Sequence, residues 1–167
     1  MDITVSMPQD HLTRRLPWED RWAEPTLDQL MEPIVPQPRK ALKTLMEQVE
    51  ELGQVERSVT WYGPAWKWTL EYLLQDEQGA DLNVLCYLVP STASPVICVP
   101  LTEDVVERLP MRRLNRFIRN GIRSAKCAVS IHWAVWNLTA VAEAGHLMDL
   151  IKRKHKILST PAKAAKV

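Results

Sequence analysis

The clearest pattern of hydrophobic and polar positions lies between residues 66 and 74. Every second residue there is large and apolar, and these residues are Trp66, Trp68, Leu70, Tyr72 and Leu74. A period of two is that of a β-strand with one buried face. Residues 59–62 continue this composition, and Gly63-Pro64 separates the two segments as a turn. The pattern therefore predicts two successive strands.

A polar segment that contains glycine follows at residues 75–81, and the chain is apolar again from Leu82 to Val89. This arrangement is typical of a β-hairpin, so residues 59–90 are predicted to form an antiparallel meander of three strands. Two further strands are predicted at residues 95–101 and 129–135. Pro100 predicts that the fourth strand lies at the edge of the sheet or ends at this residue.

Apolar residues recur every three or four positions in the remaining segments, which predicts helices. The predicted helices cover residues 26–31, 36–52, 102–108, 111–123 and 139–158. Thr26, Thr102 and Thr139 stand where an N-cap would, and Gly53 stands where a glycine ends a helix. In the last helix the residues predicted to face inward are Val141, Leu147, Leu150 and Ile151.

These elements predict an α+β fold, with an antiparallel sheet of about five strands and helices packed on one face. A single domain is expected over residues 26–158, with an N-terminal arm over residues 1–25 and a disordered tail over residues 159–167. Trp18 and Trp22 lie in the arm. Because two indoles are costly to leave in water, we expect this part of the arm to dock on the domain.

Composition places the chain among ordinary globular proteins. Its 167 residues are 46% apolar, which is enough for one core of normal size. The N-terminus has no apolar block and no segment approaches the roughly 20 apolar residues of a membrane span, so we expect a cytoplasmic protein without membrane contact. Cys86, Cys98 and Cys127 lack metal-binding spacing, so reduced thiols in the core are expected.

Four of the segments above carry a resemblance to a known family. The segments YGPAWKWTLEY, LCYLVP, SIHWAVW and LMDLIKRKHKI resemble the landmarks of the small bacterial domain-of-unknown-function family numbered 3788. In that family a Gly-Trp pair usually opens the second strand, whereas Lys67 precedes Trp68 here. The resemblance implies an α+β fold and carries no activity with it. A more distant similarity to YjbR and frataxin-like domains concerns the layout only.

Motifs of known enzyme classes are missing from the sequence. It contains no GxSxG, P-loop, GxGxxG or HExxH motif, and its four histidines are not spaced as ligands on one helical face. We therefore predict no catalytic residue, no metal site and no cofactor. A binding module is the expected class, and an enzyme of unassigned class is the weaker alternative.

The first functional hypothesis is a small-molecule site lined by aromatic side chains. The chain contains seven tryptophans, and concave sites lined by aromatic residues suit apolar or planar ligands. The predicted lining consists of Trp61, Trp66, Trp68, Tyr72 and Trp133. The competing interpretation is a core that is simply rich in indoles, because several of these residues lie on faces that the packing already requires.

The second functional hypothesis is binding of an anion or a nucleic acid. Residues 1–81 contain 8 basic and 15 acidic side chains, whereas residues 82–167 contain 13 basic and 5 acidic. The run from Arg108 to Lys126 has seven basic residues and no acidic one. Its candidate phosphate-binding residues are Arg112, Arg113, Arg116, Arg119 and Arg123. No exposed aromatic residue interleaves them, so a solvated helix face is the alternative.

The third hypothesis concerns the sheet face opposite the helices. Strand alternation assigns one set of residues to the helical face: Trp66, Trp68, Leu70, Tyr72, Val84, Cys86, Leu88, Ile131 and Trp133. It assigns Leu73, Leu85, Tyr87, Val89, His132 and Trp136 to the other face. That second set is apolar enough to need a cover. Two covers are considered: the arm with Trp18 and Trp22, which would leave a monomer, or a second subunit in a homodimer.

Overall fold

One antiparallel sheet organises the protein. The computed structural model describes residues 15–75 and 81–160. Over these residues the six strands are β1 Val55–Trp61, β2 Trp68–Gln75, β3 Asp81–Val89, β4 Val96–Thr102, β5 Lys126–Ala128 and β6 Ile131–Asn137. Their order in the sheet is β1-β2-β3-β4-β6-β5, and every neighbouring pair is antiparallel.

Helices occupy the segments between and around the strands. They are α1 Leu27–Met31, α2 Pro36–Glu50, the one-turn helix α3 Gly63–Trp66, α4 Glu103–Arg108, α5 Arg116–Arg123 and α6 Val141–Ser159, with a 3₁₀ turn at Met111–Arg113. The predicted α+β class with an antiparallel sheet is confirmed. The sheet has one strand more than predicted, because residues 126–137 fold back as a hairpin.

The threonines behave as N-caps at two of the three predicted helix starts. The Thr26 hydroxyl accepts from the Gln29 amide at 3.2 Å, and the Gln29 side chain accepts from the Thr26 amide at 2.8 Å, which completes a capping box. Thr102 caps α4 by accepting from Val105. At α6 the N-cap is Ala140, and Thr139 instead bonds Glu143 through both its amide and its hydroxyl. Val141 is consequently exposed rather than inward.

The segment predicted as one helix from 111 to 123 is divided in the structure. Pro110 is followed by the 3₁₀ turn at Met111–Arg113, and Leu114 then adopts an extended conformation. Asn115 starts α5, and its side chain accepts from the Phe117 amide at 2.8 Å. Leu114, Ile118 and Ile122 are buried as the pattern predicted.

Strand β4 is interior rather than at an edge, because β3 and β6 pair on its two sides. Its pairing with β3 nevertheless stops after Cys98. The ammonium of Lys154, on α6, fills the gap that follows: it donates to the carbonyl oxygens of Val84 at 2.6 Å, Leu85 at 3.1 Å and Pro100 at 2.5 Å. In a strand, the N–H and C=O groups of one residue point to the same side. The Pro100 carbonyl points into this gap, where β4 is not paired with β3, so the N–H that proline lacks would have had no ladder partner there.

The register of the ladders fixes which side chains share a face. Leu70 pairs with Leu88, Leu88 with Ile97, and Ile97 with Trp136, so these residues lie on one side of the sheet. Helices α2 and α5 both contact this side: the Tyr72 hydroxyl donates to Glu50 at 3.0 Å, and the Trp136 indole donates to the Phe117 carbonyl at 3.1 Å. We call this side the helical face.

The opposite side, which we call the open face, differs from the prediction in β3 and β6. A bulge at Leu85 pairs Val84 with Leu73, so Val84 lies on the open face and not on the helical face. Tyr87 pairs with Cys98 and Cys98 with Val135, so Trp133 and Ile131 lie on the open face. His132 and Trp136 lie on the helical face instead. The predicted assignment of β6 was wrong because this strand carries large apolar residues on both sides, so its composition did not specify the register.

The described part of the arm docks through one of its two tryptophans. Trp18 is 4% exposed and belongs to the hydrophobic core. The Trp68 amide donates to the Trp18 carbonyl at 3.3 Å, and the Trp68 indole donates to the Asp20 carbonyl at 2.6 Å. Trp22 is 86% exposed, which corrects the prediction that it docks as well. Residues 1–14, 76–80 and 161–167 lie outside the described residues, and with them most of the predicted arm, the predicted hairpin turn and most of the predicted tail.

Candidate functional site

The five residues predicted to line one aromatic site are separated by the sheet. Trp61, Trp68 and Tyr72 belong to the helical face, where the Trp61 and Trp68 rings meet edge to face with centroids 5.9 Å apart. Tyr72 is fully buried, and its burial together with the neighbouring Glu50 raises its pKa well above the usual value. These three side chains therefore pack in or against the core. Only Trp66 and Trp133 remain from the predicted lining.

Trp66 and Trp133 join two tyrosines on the open face. Tyr87 lies between them, with its ring centroid 5.2 Å from that of Trp66 and 6.3 Å from that of Trp133. Tyr62 completes the group, 5.5 Å from Tyr87 and 6.2 Å from Trp66. We refer to Tyr62, Trp66, Tyr87 and Trp133 as the open-face cluster. The four rings and Ala65 line a shallow depression of about 350 Å³.

The one-turn helix α3 brings Trp66 into this cluster. Pro64 occupies the first turn, where its missing N–H and fixed φ suit a helix start. The turn closes through the Lys67 amide, which donates to the Gly63 carbonyl at 2.7 Å, and Lys67 has a positive φ of 58°. The Thr69 hydroxyl, fully buried, donates to the Trp66 carbonyl at 3.1 Å. These contacts hold Trp66 beside Tyr87. Trp66 is therefore not part of β2, which starts at Trp68.

A carboxylate lies beneath the rings. Glu71 pairs directly with Tyr87 in the neighbouring strand and is only 8% exposed. Its Oε2 accepts a hydrogen bond from the Tyr62 hydroxyl. Burial, and next the charge of Glu71, raise the pKa of Tyr87 to about 12, so the phenol is neutral at physiological pH. The cluster therefore combines four electron-rich rings with one adjacent, largely buried carboxyl group.

Sequence reasoning omitted Tyr62 and Glu71 from the site and placed Tyr87 only at an interface. One signal was available for the first omission, because a Gly-Pro pair can begin a helical turn as well as a β-turn. For Glu71 there was no signal, since a carboxylate that alternates with apolar residues on a strand is normally solvated. Its burial depends on Tyr62 and Tyr87, which reach it from other strands and turns.

A second unusual ionisable group is distant from solvent. Lys154 is 2% exposed, and burial lowers its pKa to about 8. Cys86 and Cys98 are also buried, and desolvation raises the pKa of each thiol to about 12. These thiols are therefore protonated and poorly nucleophilic. Cys127 is exposed on β5, contrary to the prediction of three core thiols.

The five arginines of the basic hypothesis lie around α5. Arg112, Arg113, Arg116 and Arg123 are exposed, whereas Arg119 is half-buried, with a buried Nε that has no partner among the described residues. Within the described part of the chain, none of the five forms an ion pair. Among the described residues, therefore, no carboxylate is paired with these five guanidinium groups.

Of the predicted interface residues, Tyr87 alone is in the open-face cluster. Leu85 is fully buried and is the extra residue of the bulge between Val84 and Cys86 in the β2–β3 ladder. His132 and Trp136 lie on the helical face, Trp18 is in the core, and Trp22 is exposed. None of the residues described from the arm lines the depression at the cluster.

The described residues include no group of three or more histidine, cysteine, aspartate or glutamate side chains placed to hold a metal ion. In the same part of the chain, no helix is both long and apolar enough to cross a membrane. Comparison of the sequence and structure with protein families, curated proteins and solved structures finds no match. The resemblance to family 3788 therefore stays a prediction.

Proposed function

We propose that this protein is a non-catalytic binding module that takes a small molecule at the open-face cluster. The observation that carries the proposal is the convergence of four aromatic side chains on the open face, opposite the side that α2 and α5 contact. Aromatic side chains that line a concave site bind ligands through their large polarisable surfaces.

Ligand titration monitored by the tryptophan side chains tests this proposal. In a ¹H–¹⁵N spectrum each indole N–H gives its own signal, and a ligand should shift the signals of Trp66 and Trp133. Trp133→Leu should weaken binding at least tenfold, because it removes one of the four rings. Trp22→Leu is the matched control, since Trp22 is exposed and outside the cluster. A broad metabolite library that shifts neither signal would overturn the proposal.

The arginines around α5 support a second candidate function, binding of a polyanion. The supporting observation is that they make no ion pair within the described residues, whereas Arg57, Arg108 and Arg153 do. Binding to a mixed oligonucleotide should weaken steeply as salt increases, and Arg112→Glu/Arg116→Glu should abolish it. No binding at low salt would exclude this function. Lys40→Glu/Lys43→Glu, at two exposed positions of α2, controls for the change in net charge.

We further propose that the protein acts as a monomer, with the ligand rather than a second subunit on the open face. Light scattering after gel filtration measures the mass directly. A dimer that Tyr87→Glu dissociates would assign the open face to self-association instead.

A further inference from the structure

The described part of the arm lies beside the open-face cluster. Leu16 and Trp66 line a depression of about 230 Å³, and Trp66 also lines the depression at the cluster. Glu19 holds this part of the arm in place through an ion pair with Lys67 at 3.6 Å. Residues 1–14 are therefore tethered next to the cluster.

The length of the preceding chain is sufficient to reach every ring. Arg15, the first described residue, lines a different depression together with Gln29 and Glu32, so the chain has to turn back toward the rings. The seven residues 8–14 span up to roughly 23 Å when extended. Neighbouring ring centroids of the cluster are only 5.2 and 6.3 Å apart. Residues 1–7 can consequently lie over the whole cluster.

The sequence of residues 1–7 has the pattern of a strand with one apolar side. Apolar and polar residues alternate strictly, the apolar ones being Met1, Ile3, Val5 and Met7. In an extended segment these four side chains share one side and recur roughly every 6.5 Å. The rings of Trp66, Tyr87 and Trp133 follow one another at 5.2 and 6.3 Å. The segment therefore offers about one apolar side chain for each ring.

The chemistry of the two surfaces also matches. The depression at the cluster is lined by four aromatic rings and Ala65, and no charged side chain lines it. The apolar side of the segment would thus cover the rings without burying an unpaired charge. Branched aliphatic side chains add apolar area against the rings, and methionine sulfurs contact aromatic rings favourably.

We propose that residues 1–7 lie extended across the open-face cluster of their own chain, with the four apolar side chains toward the rings. The competing occupant is a second copy of the protein. The tethered segment is favoured over it, because a tether supplies a high effective concentration and no translational freedom is lost. One consequence rests on the proposed function: the segment and the small molecule compete, so the apparent affinity for the ligand falls with the fraction of uncovered clusters.

Two double variants of the full-length protein test the contact. Ile3→Asp/Val5→Asp places two carboxylates on the apolar side and should shift the indole N–H signals of both cluster tryptophans. Thr4→Asp/Ser6→Asp is the matched control, because it adds the same charge to the polar side of the same segment, and it should leave both signals in place. Unchanged signals in both variants, or equal shifts in both, would overturn the proposal.

A nitroxide label at Thr4→Cys measures proximity without changing the apolar side. It is placed in a Cys127→Ser background, because Cys127 is exposed whereas the other two cysteines are buried. The label should broaden the indole signals of Trp66 and Trp133 within its own molecule. Broadening in a mixture of labelled protein and unlabelled ¹⁵N protein would assign the open face to a second copy instead. Absence of broadening in both samples would also overturn the proposal.

Competition is measured with indole as a neutral aromatic probe. Indole should bind at least about fivefold more tightly to Ile3→Asp/Val5→Asp than to the wild type or the control, as expected if at most about one fifth of the clusters are uncovered. Equal affinity for all three proteins would overturn the competition. A metabolite library that shifts neither indole signal in the wild type or in Ile3→Asp/Val5→Asp would overturn the proposed function, whereas the contact measured by the nitroxide label would stand.

Discussion

Replacing Gly121 with alanine should destabilise the protein, although the same change usually stabilises a helix. Gly121 is buried in α5 and faces the Trp136 ring on the helical face. A Cβ at this position would lie 2.1 Å from Trp136 Nε1 and 2.2 Å from Cε2. Non-bonded carbon atoms are normally about 3.5 to 4.0 Å apart, so the indole or the helix has to move.

The expected magnitude follows from three opposing contributions. Overpacking a well-packed core costs about 1 to 3 kcal/mol. Displacing the indole also weakens its hydrogen bond to the Phe117 carbonyl, which contributes roughly 1 kcal/mol. Alanine recovers about 1 kcal/mol through its higher helix propensity. The net loss should be roughly 2 kcal/mol, which corresponds to a melting temperature lower by about 4 to 8 °C for a chain of this size.

Urea denaturation followed by far-ultraviolet circular dichroism measures this loss. Gly145→Ala is the matched control, because Gly145 lies in α6 with nothing within 4 Å of its added Cβ. This control should stabilise the protein by up to about 1 kcal/mol. In a Trp136→Leu background, Gly121→Ala should become neutral or stabilising, since the clashing atoms are gone. If Gly121→Ala stabilises the wild type, or costs the same in both backgrounds, the steric explanation is refuted.

Three further predictions concern buried groups and backbone strain. Cys86 and Cys98 keep their protons to about pH 12 when folded but ionise near 9 when unfolded, so stability should fall as pH rises above 9. Urea titrations at several pH values should show a shallower fall in Cys86→Ala/Cys98→Ala, and an unchanged slope would contradict the burial argument. Lys154→Met leaves three carbonyls without their partner and should cost roughly 2 kcal/mol or more by urea denaturation; equal stability would show that the ammonium is not needed. Val129 and Ser130 have positive φ angles of 50° and 60° at the β5–β6 turn, so Val129→Asn/Ser130→Gly should raise the free energy of unfolding by about 1 kcal/mol, and a decrease measured in urea would refute the strain.

Local chemistry determined most of the secondary structure. The N-caps at Thr26 and Thr102 and the alternation in β2 depend on neighbours a few residues away, so the sequence predicted them. The α+β class followed from the order of these elements. Local signals failed at Pro100, which predicted an edge strand or a strand end, because β4 lies inside the sheet and continues to Thr102 in its pairing with β6.

Only the tertiary structure decided which side chains meet. In β6 both faces are apolar, so alternation left the register open, and the pairing of Ile97 with Trp136 settled it. The predicted aromatic site was therefore divided between two faces, and a different cluster formed around Tyr87. Its members come from β3, β6 and the loop after β1, far apart in sequence. The burial of Glu71 depends on the same long-range contacts, with Tyr87 and Tyr62. The sequence specifies the chemistry of a side chain, but the surroundings of that side chain arise only when distant strands pair.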